Sequence, residues 1–305
     1  MGPCCSIMKR SDTGHPHLQV LTHDQCDFYA RNGYLILPDA LAVDQISALL
    51  DEAHRLIADI SKSGEGYPQY DASGGELAAP SPVGRVLARY ETANGTAFEP
   101  TDAPIARLGC SIHQHLPSFL TITHSAFHRS IANALDCAVP LVTQSQLITK
   151  PARVGSRINP HQDGCSSFTE PPSALTFWYA LEDAFVDNGC LLIAPGSHLT
   201  EPLRQRLAKG PQDGRPEFIQ LRKPAWAKNA VNSGFELHHR REYEYVPLEV
   251  TKGTLVLCHG NLMHASGANR SERGRVAYVF TIIDGQAHCP DDAYLSPTTG
   301  GFLRL

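Results

Sequence analysis

The stretch Asn159-Pro160-His161-Gln162-Asp163-Gly164 carries two metal-ligand side chains in a fixed relation. On an extended strand alternate side chains leave the same face, so His161 and Asp163 point to one side and Gln162 to the other. Pro160 biases Asn159 towards an extended backbone, and Gly164 lets the chain turn at once. One imidazole and one carboxylate are then held close together by backbone geometry. A second histidine from elsewhere completes a 2-His-1-carboxylate facial triad, which holds Fe(II) on one face and leaves open positions on the other. The triplet alone is weak: about one His-x-Asp is expected by chance in a chain of this composition, and a motif counts only when its context agrees. On its own it reads as a polar surface loop, so the case depends on the residues downstream.

Two histidines compete for the remaining ligand position, His259 and His264. They are five residues apart and would face opposite sides of an unbroken strand, but Gly260-Asn261 is expected to break it. His264 has the better context. Ser266 shares its face two residues on, and Arg275 opens the next strand after a turn through Gly267-Ala268-Asn269. A hairpin is expected to bring Arg275 beside His264. A guanidinium at the back of an iron pocket binds a carboxylate in bidentate fashion. A dicarboxylate co-substrate would then span metal and arginine.

The frame for these residues is a chain of 305 residues, 42% hydrophobic, with a net charge of −5. That suits one large domain or two small ones with ample core. The mild acidity argues against general nucleic-acid binding, and no apolar run approaches the roughly 18 residues of a membrane span. Nine cysteines occur, with no Cys-x-x-Cys pair. Cys110, Cys137, Cys165, Cys190 and Cys258 lie in or beside apolar stretches and read as buried free thiols in a reducing compartment.

Residues 1–21 lack periodicity and are expected to be disordered. No apolar h-region follows the start, so no signal peptide is expected. Met1-Gly2-Pro3-Cys4-Cys5-Ser6 fits the loose myristoylation pattern with neighbouring palmitoylation candidates, although Pro3 constrains it. Arg10 to Leu18 has the spacing of an N-terminal peroxisomal signal, but Ser11 stands where an aliphatic residue is needed. Leu303-Arg304-Leu305 lacks the small residue of a C-terminal one. The expectation is a cytoplasmic protein, with a peroxisomal location as the alternative.

Thr22-His23-Asp24-Gln25 reads as a capping box opening a helix that stops near Asn32-Gly33. Tyr34–Leu37 reads as a strand. From Asp44 the apolar residues Ile46, Leu49, Leu50, Ala53, Leu56, Ile57 and Ile60 follow helical spacing to about Gly64. Residues 62–82 read as a Gly/Ser/Pro-rich loop, and 83–115 carry no clear pattern. Ser125 to Leu135 reads as a helix and Leu141 to Thr149 as a strand. After Gly164 short strands alternate with turns: Ala174–Leu181, Cys190–Ala194, then Gly253–Cys258 and Arg275–Ile283. Such spacing reads as an all-β sandwich or barrel. Residues 199–245 interrupt it as a polar insertion.

Taken together, Pro160-His161-Gln162-Asp163, Asn188-Gly189-Cys190-Leu191, Pro195-Gly196-Ser197-His198, and His264 followed by Arg275 resemble the phytanoyl-CoA dioxygenase family of Fe(II)/2-oxoglutarate oxygenases. One branch of that family adds counterparts of Ile122-Thr123-His124-Ser125, Thr169-Glu170-Pro171, Trp178 and Glu182-Asp183-Ala184. The similarity runs from about residue 22 to 285, and the ordered series is far more specific than any single motif.

The resemblance implies a mainly β fold: a double-stranded β-helix, jelly-roll and cupin-like, with N-terminal helical support. It implies a single oxygenase domain over 22–305, its β-helix at about 140–285. By the family pattern His161, Asp163 and His264 bind iron, while Arg275 and Ser266 hold the distal carboxylate of 2-oxoglutarate. Trp178, Arg107 and Gln146 match positions that contact the cosubstrate. In the matched branch the position of Arg107 carries a lysine and that of Gln146 a methionine. The implied chemistry consumes dioxygen, releases succinate and carbon dioxide, and hydroxylates an unactivated C–H of a small molecule, acyl-CoA-like or a secondary metabolite, with ascorbate as a reductant. Relatives that halogenate lack the carboxylate at Asp163, so its presence favours hydroxylation over halogenation, with desaturation and ring chemistry as the alternatives.

Bland readings apply elsewhere. His113 and His115 have no acidic partner and read as surface or helix residues. His198 reads as structural, and His238-His239-Arg240-Arg241 as a solvated loop. Arg204, Arg206, Lys209, Arg215, Arg222, Lys223 and Lys228 make the insertion basic. That suits the phosphates of a CoA ester but reads more simply as a solvated face. Two other function classes compete: a non-catalytic metal-binding or scaffold protein of the same fold, and a cupin-like iron enzyme that does not use 2-oxoglutarate. The presence of all five key residues argues against the first, and Arg275 against the second.

Overall fold

A computed structural model describes residues 21–63, 69–71, 86–93, 96–97, 104–211, 216–230, 242–297 and 301–305. The targeting motifs near the N-terminus and His238–Arg241 lie outside them. Helix α1 (His23–Asn32) begins with the reciprocal capping box of Thr22 and Gln25 and ends at Gly33, whose φ of 78° a glycine adopts without strain. Strand β1 (Tyr34–Leu37) and helix α2 (Val43–Ser63) follow. Residues Gln69–Asp71, inside the expected loop, form β2. The stretch without pattern holds β3 (Val86–Tyr90), β4 (Thr92–Ala93), β5 (Thr96–Ala97) and β6 (Ile105–Cys110). Then come α3 (Ile112–His115), α4 (Pro117–Thr123) and α5 (Ala126–Ala134).

The strands that build the site are β7 (Pro140–Lys150), β8 (Ile158–His161), β9 (Leu175–Ala180) and β10 (Leu191–Ile193). A short helix α6 (Ser197–Thr200) leads into β11 (Leu203–Lys209) and β12 (Pro216–Ala225). The chain resumes with β13 (Val246–Leu248), β14 (Leu255–His259), β15 (His264–Ser266) and β16 (Arg275–Asp284), and closes with β17 (Leu303–Arg304). One sheet runs β1-β14-β9-β16-β7-β6-β3-β2, with β17 on β7. The other runs β13-β10-β15-β8. Successive strands from β7 to β10 and from β13 to β16 therefore divide between two facing sheets, which is a double-stranded β-helix. The insertion is not simply an excursion: β11 and β12 pair as an antiparallel hairpin.

The major sheet is buried on both faces, which is why β9 (LTFWYA) has no polar alternation. Phe177, Tyr179, Tyr278, Phe280, Leu255 and Leu257 point outward into the main core under the helices. Their neighbours Trp178, Val256, Cys258 and Ala277 point between the sheets. Phe177 and Phe280 stack with centroids 4.5 Å apart and planes at 6°. Burying each such ring contributes roughly 1.5–3 kcal/mol. A bulge in β7 opposite Thr281 and Ile282 shifts the alternation, so Val142 packs in the main core while Gln144 and Gln146 face the inter-sheet space.

Several sequence expectations change here. His113 does lie in a helix, α3, but not at the surface: it is 1% exposed, and its Nδ1 lies 2.6 Å from Ser145 Oγ. His115 is exposed, as expected. Cys110 is only partly buried, whereas Cys137, Cys165, Cys190 and Cys258 are buried, and all five are free thiols. Arg206 is not solvated: Nη2 donates to Asp292 at 2.8 Å and the guanidinium lies over Phe168. Arg222, Lys223 and Lys228 are exposed. Among the described residues, no helix is long and apolar enough to cross a membrane.

Candidate metal centre

His161 closes β8, and in the antiparallel pairing of β8 with β15 it stands directly opposite His264. The cross-strand pair places the two imidazoles side by side, with centroids 4.2 Å apart. Gln162 is extended, and Asp163 then opens a single 3₁₀ turn, Asp163–Cys165. The two ligands are thus not both on a strand, yet the extended Gln162 still aims His161 and Asp163 to one side. Gln162 points away, donating to the carbonyls of Glu201 and Asn261. Asp163 Oδ1 lies 3.6 Å from His161 Nε2 and 3.7 Å from His264 Nε2. The ligand atoms of all three lie within 4.8 Å of one another, a spacing that a single ion bridges.

Backbone and side-chain partners fix each ligand. His161 Nδ1 donates to Asn159 O at 2.8 Å and His264 Nδ1 to Leu262 O at 3.0 Å. The remaining Nε2 of each ring keeps its lone pair for a metal, the usual outer arrangement of ligating histidines. Thr176 Oγ1 donates to Asp163 Oδ2 at 2.7 Å, so the other oxygen faces the histidines. Desolvation inside the cleft and the neighbouring His264 push the His161 imidazole, whose side chain is partly exposed at the mouth, below its ordinary value. Burial alone would raise the Asp163 carboxyl, but His264, His161, the Thr176 hydrogen bond and Arg107 outweigh it and hold the group ionised. Two imidazoles and one carboxylate with an open side suit non-haem Fe(II).

The triad opens into a cleft whose empty space, counting the open solvent at its mouth, is about 650 Å³. Arg107, Gln146, Trp178, Ser266 and Arg275 all line it. Arg275 is 1% exposed and its Nη2 donates to Gly189 O at 2.7 Å. Its Nε and Nη1, and the Oγ of Ser266, are buried without a hydrogen-bond partner among the described residues. Its guanidinium stands 5.4 Å over the Trp178 ring. Burial lowers Arg275 to about 10, so it stays charged at neutral pH. A buried cation and a hydroxyl with unmet donors are costly unless something completes them. A carboxylate does so, and the donor set fits the distal end of 2-oxoglutarate.

The expected hairpin between His264 and Arg275 does not form. β15 pairs with β10 and β8 in the minor sheet, whereas β16 pairs with β7 and β9 in the major one. Arg275 reaches the cleft because the two sheets face each other across it. His259 stays outside: its Nδ1 accepts from Asn261 N at 3.0 Å and its ring packs 5.0 Å from that of His198. His198 Nε2 donates to Ala30 O at 3.0 Å, as a structural residue. The sequence reading missed Thr176, Gln144 and Cys258, which also line the cleft. Thr176 lies two residues before Trp178, so strand alternation could have found it.

The family model for phytanoyl-CoA dioxygenase (PhyH) matches residues 29–277. The phytanoyl-CoA dioxygenase domain-containing protein 1 of Rattus norvegicus is 36% identical over 209 residues, 67% of this chain and 66% of that protein, so the match spans just under two thirds of that relative. The protein of the same name from Bos taurus is 29% identical over 91% of this chain and 96% of its own length. Among solved structures, the epimerase SnoN in complex with Fe3+, alpha ketoglutarate and nogalamycin RO superposes with a TM-score of 0.60 at 17% identity, covering 92% of this chain and 94% of that one. EctD from S. alaskensis with bound Fe gives 0.59 at 21% identity, covering 93% and 83%. At these identities the likeness to solved structures is one of fold.

Proposed function

The chain belongs to the phytanoyl-CoA dioxygenase family, and on that premise we propose that it is an Fe(II)- and 2-oxoglutarate-dependent oxygenase hydroxylating an unactivated C–H of a small molecule, acyl-CoA-like or a secondary metabolite. The observation that carries this reading is the unmet donor set of Arg275 and Ser266 in the same cleft as the His-Asp-His centre.

His161 and His264 would hold the metal through Nε2 and Asp163 through Oδ1. Bound iron supplies the redox chemistry that couples dioxygen and the decarboxylation of 2-oxoglutarate, with release of succinate, to C–H oxidation. Arg275 and Ser266 hold the distal carboxylate, and the Trp178 ring lies 5.4 Å from the guanidinium. Arg107 adds positive charge beside His161 and Asp163, and Gln146 lines the wall next to it. Ile148, Ile158, Leu191 and Val279 supply apolar wall that displaces water from the cleft. Ascorbate serves as the external reductant. The substrate enters from the side where His161 is most open, its side chain 41% exposed against 9% for His264.

The test is succinate release by the full chain supplied with Fe(II), ascorbate and 2-oxoglutarate. Release that depends on all of Fe(II), 2-oxoglutarate and His161 supports the reading. Release equal to that of His161→Ala would refute it.

A further inference from the structure

Behind the cleft lies a buried charge that the proposed chemistry does not use. Lys150, the last residue of β7, is 2% exposed. Its Nζ donates to Ser156 O at 2.6 Å and to Gly267 O at 2.7 Å. Gly267 directly follows Ser266. Across the strand pair, Lys150 is the register partner of Arg275. The carbonyl that orients Arg275 belongs to Gly189, which sits at φ +82°. A Cβ on Gly189 would stand 2.5 Å from Gly267 O and 2.8 Å from Lys150 Cδ, so Gly189, Gly267 and the lysine stem are packed against one another. On its far side Ser156 is itself anchored, its backbone N donating to buried Glu91 at 2.9 Å.

These contacts cross from one sheet to the other. Ser266 ends a strand of the minor sheet, and Arg275 and Lys150 pair within the major one. A buried ammonium is costly to desolvate, and its two carbonyl contacts offset that cost. A leucine or methionine would fill that space more cheaply if space-filling were the requirement.

We propose that Lys150 is a positioning residue for the co-substrate carboxylate: it ties the Ser266-Gly267 end of the minor sheet to the Arg275 end of the major sheet, so that the Ser266 hydroxyl and the guanidinium face the cleft together, and it adds positive charge beside Arg275. The inference rests on reading the site as a 2-oxoglutarate oxygenase. Burial and then Arg275 push the Lys150 amine down to about 7, with Glu91, Arg107 and Cys190 as the other groups acting on it. A neutral amine still donates to both carbonyls, so raising the pH removes the charge and leaves the tie.

The experiment is anaerobic titration of the Fe(II)-loaded full chain with 2-oxoglutarate and, separately, with 2-oxobutyrate, which lacks the second carboxylate. Dissociation constants are read directly by calorimetry. Lys150→Met is expected to weaken 2-oxoglutarate binding about ten- to a hundredfold, as lost outer-layer support does in metal sites, and to leave 2-oxobutyrate unchanged. Lys150→Arg is expected to recover most of the loss. Equal effects on both ligands, or none on 2-oxoglutarate, overturn the proposal. A wild-type protein that does not prefer 2-oxoglutarate overturns the functional reading instead. If Lys150→Met does not fold, Lys150→Gln takes its place: weaker 2-oxoglutarate binding with 2-oxobutyrate unchanged supports the proposal, and equal effects on both ligands, or none on 2-oxoglutarate, overturn it.

Discussion

Thr176 donates to the outer oxygen of Asp163 at 2.7 Å, and the inner oxygen is left equidistant, within 0.1 Å, from the Nε2 atoms of the two histidines at 3.6 and 3.7 Å. The hydroxyl therefore decides which carboxylate oxygen would face a bound metal. Thr176→Val keeps the shape and removes the donor. Fe(II) affinity is expected to fall about ten- to a hundredfold, while Thr176→Ser stays near wild type. Anaerobic Fe(II) titration measures both, and a valine variant that binds iron normally would contradict the assignment.

Arg275→Met tests the opposite wall of the cleft. Removing one partner of a buried charge pair costs on the order of 2–5 kcal/mol. The 2-oxoglutarate dissociation constant is expected to rise by about a hundredfold or more, with Fe(II) affinity unchanged. Unaltered 2-oxoglutarate binding would remove the arginine from the site.

The stacked pair Phe177 and Phe280 ties the two central strands of the major sheet beneath the helices. Both rings are fully buried. Phe280→Ala is expected to cost about 3–5 kcal/mol in urea unfolding. A loss well below about 1 kcal/mol would mean that this core does not support the sheet.

Two buried histidines under the helices make stability pH-dependent. Burial pushes His113 and His128 each down to about 4. In the unfolded chain a histidine titrates near about 6.5. The folded value is the lower one, so the unfolded state takes up protons first as the pH drops. The stabilising contribution is complete above about 6.5 and is lost as pH falls through about 4. The urea midpoint should therefore decline between pH 6.5 and 4.5, and His128→Gln should make that decline shallower. An identical slope in the variant would show that His128 is not held neutral.

The parts legible in the sequence were those fixed by local chemistry. The Thr22–Gln25 box is a contact between residues three apart, and it folds as read. The strands from Leu175 to Ala180 and Arg275 to Asp284 are runs of apolar and β-branched side chains with no competing pattern. What could not be read depends on distant partners. The segment between Ser266 and Arg275 is as long as a hairpin or a crossing between sheets needs, and nothing in Gly267 to Gly274 selects between them. His113 is buried only because Ser145, 32 residues away, lies opposite it. The β11–β12 hairpin carries charge on both faces, as the half-exposed pattern of Pro216–Ala225 shows, so its strands lose the alternation that marks an ordinary strand.

The central claim is that one cleft holds iron and 2-oxoglutarate together. The most direct measurement is an anaerobic titration of the metal-free protein with Fe(II) and then 2-oxoglutarate, following the visible charge-transfer absorption of the chelated pair. The account predicts a band that appears only when both are present and is lost in His161→Ala. Iron bound without any band on adding 2-oxoglutarate would contradict the co-substrate assignment, and no bound iron would contradict the metal centre itself.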